Sequence, residues 1–331
     1  MNQIGIDISN RVFDASMQYS GGASRRQFSN TPSGHRQFMK WSLRQARAAR
    51  VCMEATGIYH LQLALALNQH PNIELMVVNP CAARRFAQAN MVRAKTDSID
   101  ADGLLLYLQR MPFRPWSAPR DEVLQLQSLA HRVAQLDKEV TRERSRLHAA
   151  RRAGSHTRPV QQDIQAHIKQ LQRRLERMKS QAYQVIQNDP LMADDARIID
   201  SAPGFAELTV TKLLAELLPL PGDMLPTQWV AQAGMDPRPS ESGTSQRPPR
   251  RISKQGNARI RQALFMPALV AIQHDANVAA YYEKLLAKGK PKMLAITAVM
   301  RKLLHALWGM LHHRQEWDGD KFYRLNQIKI T

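Results

Sequence analysis

Two cysteines in 331 residues, Cys52 and Cys81, are too few and too unrelated in spacing for a disulfide scaffold or a thiolate metal site. That scarcity excludes a small secreted, stapled fold and fits a reducing cytoplasm. The opening residues, Met1 to Ser9, have no basic stretch leading into a long apolar one, so they do not read as a signal peptide. No uninterrupted apolar stretch approaches the length of a membrane span, and no aromatic-rich amphipathic terminal helix argues for a membrane surface; no membrane partner is expected. Glycine-rich phosphate loops are missing too. That counts against a doubly wound nucleotide-binding domain and against a sugar kinase or actin-like ATPase. Acidic residues are the other shortage: 47 Lys and Arg outnumber 28 Asp and Glu, for a net charge of +19. Such an excess points to a polyanionic partner, DNA or RNA, rather than to a small neutral substrate.

The chain is long enough for two or three domains with cores of their own. Residues 1–115 alternate strand and helix signals. Strands are expected at Gln3–Ile8, Val12–Tyr19, Ser24–Ser29, Ala49–Ala55 and Ile73–Val78. Helices are expected from Thr31 or Ser33 to about Arg47, over Ile58–Asn68, from Asn79-Pro80 to about Asn90, and from a Thr96 cap to about Met111. Three strands followed by alternating helices and strands predict a ribonuclease-H-like layered α/β domain. Residues 116–190 predict a coiled-coil helical hairpin. Leu126, Leu129, Val133, Leu136, Val140 and Leu147 form one apolar stripe, and Ile164, Ile168, Leu171, Leu175, Met178 and Val185 another. Residues 153–159 turn between them, and the remaining faces are rich in arginine. Residues 191–331 read as a mostly helical third domain. It opens with a helix-hairpin-helix-like stretch around Ser201-Ala202-Pro203-Gly204-Phe205 and includes long helices at about Ala258–Gln273 and Lys292–His313.

Chemistry is concentrated in four acids. Asp7 interrupts an isoleucine-rich strand, on the face opposite Ile4, Ile6 and Ile8, where aspartate is a poor strand residue. Glu54 closes the apolar run Val51-Cys52-Met53, at a strand end of the kind where α/β sheets place their ligands. Asp97 and Asp100, three residues apart, share one face of a helix. Taken singly, each has a bland reading, a helix-dipole partner for Asp97 or an arginine partner for Glu54. Bringing four carboxylates together is costly without positive charge, and two Mg²⁺ ions holding a phosphodiester would supply it.

A second centre lies at Pro239–Ser245, whose Ser242-Gly243 pair precedes a basic stretch. Arg247, Arg250, Arg251, Lys254 and Arg259, together with Asn257, are the candidate nucleic-acid contacts. The loop reads either as a flexible phosphate-binding linker or as the carrier of a nucleophilic hydroxyl. Pattern does not choose among Ser240, Ser242, Ser245 and Ser253.

GIDIS, MEATGIYH, KTDSIDA, SAPGF, AGMDPRPSESG, ISKQGNARIRQAL and KGKPKMLAITAVMRKLLH resemble, in order and wording, the DEDD transposases of insertion sequences related to Piv-type DNA invertases. These are also known as bridge-RNA-guided recombinases, and the resemblance spans essentially the whole chain. It implies a RuvC-like domain over 1–115, a helical connector over 116–190, and a C-terminal transposase domain over 191–331. It implies that Asp7, Glu54, Asp97 and Asp100 are the metal-binding acids and that Ser242 forms a covalent phosphoserine link to DNA. A homo-oligomer, dimer or tetramer, in which the acids of one protomer meet the serine loop of another is implied as well. So are donor and target DNA, and a structured noncoding guide RNA that supplies sequence choice by base pairing. The expected setting is cytoplasmic and nucleoid-associated. Two rivals remain: a RuvC-like, structure-selective DNA endonuclease working with metal-activated water, and a non-enzymatic nucleic-acid scaffold whose acids are structural.

Overall fold

The computed structural model describes residues 1–55, 57–90, 97–237 and 252–325, and the side chains of all of these except 97–99. They form two compact units, Met1–Ala118 and Pro119–Thr331.

The first unit is built on a five-stranded sheet. Strands β1 (Asn2–Ile8), β2 (Val12–Tyr19) and β3 (Gly22–Ser29) form an antiparallel meander, and β4 (Ala49–Glu54) and β5 (Ile73–Val78) add in parallel on the other side of β1. The order is β3-β2-β1-β4-β5. Period-2 alternation sorts the faces. Ile4, Ile6, Ile8, Phe13, Met17, Val51, Met53 and Leu75 bury one face under α1 (Pro32–Ser42) and α2 (Leu61–Asn68), which contribute Phe38, Trp41, Leu63 and Leu67. On the other face Cys52, Met76 and Val78 pack against Leu104 and Leu108 of α4 (Asp97–Arg110), with α3 (Pro80–Ala89) alongside.

Two helix boundaries differ from expectation. Thr31 caps α1, its Oγ1 accepting from the Gly34 N–H at 3.3 Å, but the helix stops at Ser42 rather than near Arg47. Asn2 Nδ2 donates to the Ser42 carbonyl at 2.7 Å, which satisfies the last turn from a distant strand. Helix α2 starts at Leu61 rather than Ile58, because Gly57 at φ 55° turns the chain and leaves Ile58 in solvent. The Thr96 cap lies outside the described residues; the helix it was to start runs from Asp97 to Arg110.

The second unit begins with α5 (Asp121–Ala153) and α6 (Arg158–Asn188), joined by Gly154 at φ 110° and one 3-10 turn, Ser155–Thr157. Val133, Leu136 and Val140 meet Leu171 and Leu175 between the two helices. At the base of the hairpin, Leu126, Ala182 and Ile186 enter a larger core shared with the helices that follow. These are α7 (Pro190–Asp200), α8 (Glu207–Leu217), α9 (Pro226–Gln232), α10 (Ala258–His274), α11 (Ala276–Ala287), α12 (Lys292–His313) and α13 (Gly319–Phe322). Gly204, in the turn before α8, has φ 86°, and a Cβ there would meet the Pro267 backbone of α10 at 2.9 Å. Close packing therefore demands glycine at this turn.

Among the described residues, α12 alone is long and apolar enough by composition to cross a membrane, a run that looks too interrupted when only unbroken apolar stretches are sought. Its apolar stripe, Ala295, Val299, Leu303, Leu304, Leu307 and Met310, is buried within the unit.

Candidate catalytic site

Asp7 and Glu54 are brought together by strand register. Ile6 of β1 lies opposite Met53 of β4, so one residue further along these parallel strands Asp7 neighbours Glu54. Adjacent strands are about 4.8 Å apart, and residues in matching register point to the same face. That face is the one α4 covers. A Cβ on Gly5 would meet the Ala101 carbonyl and the Leu105 nitrogen at 2.2 Å, so strand and helix backbones touch two residues before Asp7.

The direction of α4 follows from its neighbours. Leu106 and Gln109 share a cleft with Gln18 and Ala23, which lie in register with Gln3 at the start of β1. The helix thus runs back along β1, and its first turn, carrying Asp97 and Asp100, lies toward the strand ends where Asp7 and Glu54 sit. Asp100 is half-buried; the Asp97 side chain is outside the described set. Neither Asp7 nor Glu54 is without a partner.

Sequence reasoning passed over a further acid. Asp14 stands directly opposite Asp7 in the β1–β2 register, and both its carboxylate oxygens accept from Gln27 Nε2 of β3 at 3.1 Å. Across the sheet the row reads Gln27, Asp14, Asp7, Glu54. Like charges directly opposite one another destabilise a strand pair. The signal was available in the hairpin Ser9–Val12, whose tight turn fixes the register once both strands are accepted. Two residues along β3 from Gln27, Arg25 forms a forked ion pair with Asp102 of α4, with Nε to Oδ1 at 3.1 Å, which ties helix to sheet.

The donor set is all carboxylate oxygen, the ligand chemistry that hard divalent cations take. Among the described residues no three His, Cys, Asp or Glu side chains already form a metal cage. Asp7 and Glu54 fit as the strand-borne half of such a site, facing the helix that carries the other two acids.

Ser242, Arg247, Arg250 and Arg251 lie outside the described residues. The chain on either side of them is well braced. Pro237 and Ile252 form an antiparallel bridge, Ser253 Oγ donates to Asp236 Oδ1 at 2.5 Å, and the Asn257 N–H donates to the Gln232 carbonyl at 2.6 Å. Lys254 is exposed and takes a left-handed φ of 54°. Asn257 caps α10, its Oδ1 accepting from the Arg259 N–H at 2.9 Å, while its Nδ2 donates to Glu216 at 2.5 Å. Glu216 is a second residue that sequence reasoning missed, a charged side chain inside the run Leu213-Leu214-Ala215-Glu216-Leu217. Burial raises its pKa, but hydrogen bonds from His131 and Asn257 and the charges of His131 and Arg259 bring it below the usual glutamate value.

Residues 4–153 match a family described as transposase, the DEDD type of IS110, and residues 196–283 match the transposase IS116/IS110/IS902 family. The chain is 26% identical over 320 residues to the pilin gene-inverting protein of Moraxella bovis, covering 95% of this chain and 97% of that one. The Moraxella lacunata protein of the same name is also 26% identical, with the same coverage. An uncharacterized 42 kDa protein of insertion element IS900 from Mycobacterium paratuberculosis is 32% identical over 123 residues, 35% of this chain and 29% of that protein.

Proposed function

We propose that this enzyme, a DNA recombinase with the function of the IS110-family transposases and DNA invertases, cuts and rejoins DNA strands at a site formed by the acids Asp7, Glu54, Asp97 and Asp100 and the hydroxyl of Ser242. The observation that carries this reading is the placement of Asp7 beside Glu54, on the sheet face covered by the helix that begins with Asp97 and Asp100. The sheet order, three antiparallel strands followed by two parallel ones with helices on both faces, supports a ribonuclease-H-like, RuvC-like fold for this unit.

Asp7, Glu54, Asp97 and Asp100 would hold Mg²⁺, as their all-carboxylate chemistry suits. When bound, the metal would neutralise charge developing on the phosphodiester. The acids orient the scissile phosphate. Ser242 Oγ attacks phosphorus, the bond from phosphorus to one sugar oxygen breaks, and that oxygen leaves as a hydroxyl. A hydroxyl from a second strand then attacks the phosphoserine and returns the serine to its starting state. Lys254 and Arg259 lie along the DNA backbone, joined by Arg247, Arg250 and Arg251. Asn257 supports this group from within, since both ends of its amide serve the α10 cap and Glu216. A structured noncoding RNA pairs with donor and target DNA and sets the sequence, and a dimer or tetramer brings acids and serine together from different protomers.

Incubating the protein with Mg²⁺, paired DNA substrates and the noncoding RNA that flanks its gene tests this. Recombinant junctions and a detergent-stable serine–DNA adduct are the expected products, and both disappear with Ser242→Ala or when RNA is omitted.

The DEDD family match also favours a second reading, in which the acids cleave DNA with metal-activated water and no serine nucleophile. Cleavage that survives Ser242→Ala without any adduct would establish it.

A further inference from the structure

Glu216 is 6% exposed in α8, and a buried carboxylate needs its charge answered. His131 of α5 places Nε2 2.7 Å from Oε1, Asn257 donates to Oε2 at 2.5 Å, and Arg259 of α10 has Nε 3.7 Å from Oε1. Three elements far apart in sequence are thus joined at one side chain. Beside it opens a cleft of about 120 Å³ whose lining includes Ala130, Ala134 and Ala263. Lys138, Lys212 and Arg259 line it too, with Gln262 as a neutral donor and Asp137 as the one acid besides Glu216.

Even with Arg259 set against Glu216, Lys138 and Lys212 outnumber Asp137, so the rim keeps a positive excess. Neither Lys138 nor Lys212 has an ion-pair partner among the described residues. Lys212 is half-buried, where a cation without a counter-ion is disfavoured. The small volume, three lining cations and amide donor suit a tetrahedral anion carried on a chain that continues past the cleft. In a protein of net charge +19 that chain is a nucleic acid.

We propose that the cleft between α5, α8 and the start of α10 grips a backbone phosphodiester of a nucleic-acid strand, with Glu216 as a positioning residue that holds Arg259 toward it. This rests on the reading of the enzyme as a nucleic-acid recombinase and extends the surface that Arg259 already belongs to onto Lys138 of α5 and Lys212 of α8. The role assigned to Glu216 has a distinctive sign. Removing a bystander's negative charge tightens nucleic-acid binding, whereas removing a positioning residue weakens it.

The test measures affinity against salt for full-length wild type, the Lys138→Ala/Lys212→Ala double variant and Glu216→Gln, with thermal midpoints as a folding control. Duplex DNA and the flanking noncoding RNA are titrated separately. The double variant is expected to lower the slope of log affinity against log salt by about 1.8 on duplex DNA, or by about 1.4 on single-stranded regions of RNA, and the ligand that shows the drop identifies the strand held. Glu216→Gln is expected to weaken binding to the same ligand. An unchanged slope on both ligands, in a protein that still recombines DNA, overturns the cleft assignment and leaves the proposed reaction standing. Tighter binding by Glu216→Gln overturns its positioning role. Loss of the proposed serine chemistry, by contrast, would leave these slopes as measured.

Discussion

Burial sets the chemistry of single side chains here as much as residue type does. Cys52 is fully buried between β4 and α4, and burial pushes its thiol up to about 12. A thiolate is the reactive form, so Cys52 should resist maleimide in the native protein while half-buried Cys81 reacts. Mass spectrometry after brief labelling checks this; modification of both at equal rates would contradict the packing of α4 on β4. His35 is also buried, with Nε2 2.8 Å from Asn30 Oδ1, and burial lowers its pKa from 6.5. The unfolded chain therefore takes up this proton first. The contribution of His35 is complete above about pH 6.5 and is lost as the pH falls from there toward its folded value. Urea midpoints at pH 7.5 and 5.5 should fall less in His35→Gln than in wild type. An identical fall in both would contradict a neutral buried imidazole.

At the scale of elements, the seam between β1 and α4 holds the candidate site, and Gly5 is its narrowest point. A methyl group there meets helix backbone at 2.2 Å, so α4 must move. Overpacking of this kind costs about 1–3 kcal/mol. Gly5→Ala should lose that stability in chemical denaturation and, because α4 carries Asp97 and Asp100, should lose strand cleavage more severely than DNA binding. Equal stability and activity would mean that the seam is looser than described.

Much of this architecture was legible because its signals are periodic. Alternation around Asp7 gave the strand and its two faces, and apolar stripes gave the pair of long helices. Asp14 and Glu216 were not legible in that way: one becomes informative only once the β1–β2 register sets it opposite Asp7, the other only when α5 and α10 close on α8. The end of α1 was misread for the same reason, since Asn2 satisfies it from 40 residues away. The short helices α9 and α11, of 7 and 12 residues, offered no comparably long pattern.

Over the whole molecule, a net charge of +19 supplies attraction for nucleic acid without sequence choice, while on the proposed reading the chemistry belongs to four acids at the ends of β1 and β4 and the start of α4. These two roles separate experimentally. Lowering salt should tighten DNA binding steeply in wild type and in acid-to-amide variants alike, because phosphate contacts release counterions irrespective of the proposed catalytic carboxylates. The most direct measurement is the rate of Mg²⁺-dependent DNA strand cleavage by full-length Asp7→Asn and Glu54→Gln proteins whose DNA affinity and thermal midpoint match wild type. A loss of about 100-fold or more in each is the predicted result, the scale seen when a group acting on the transition state is removed. Cleavage at the wild-type rate by either protein would contradict the assignment of these strand-borne acids as the catalytic centre.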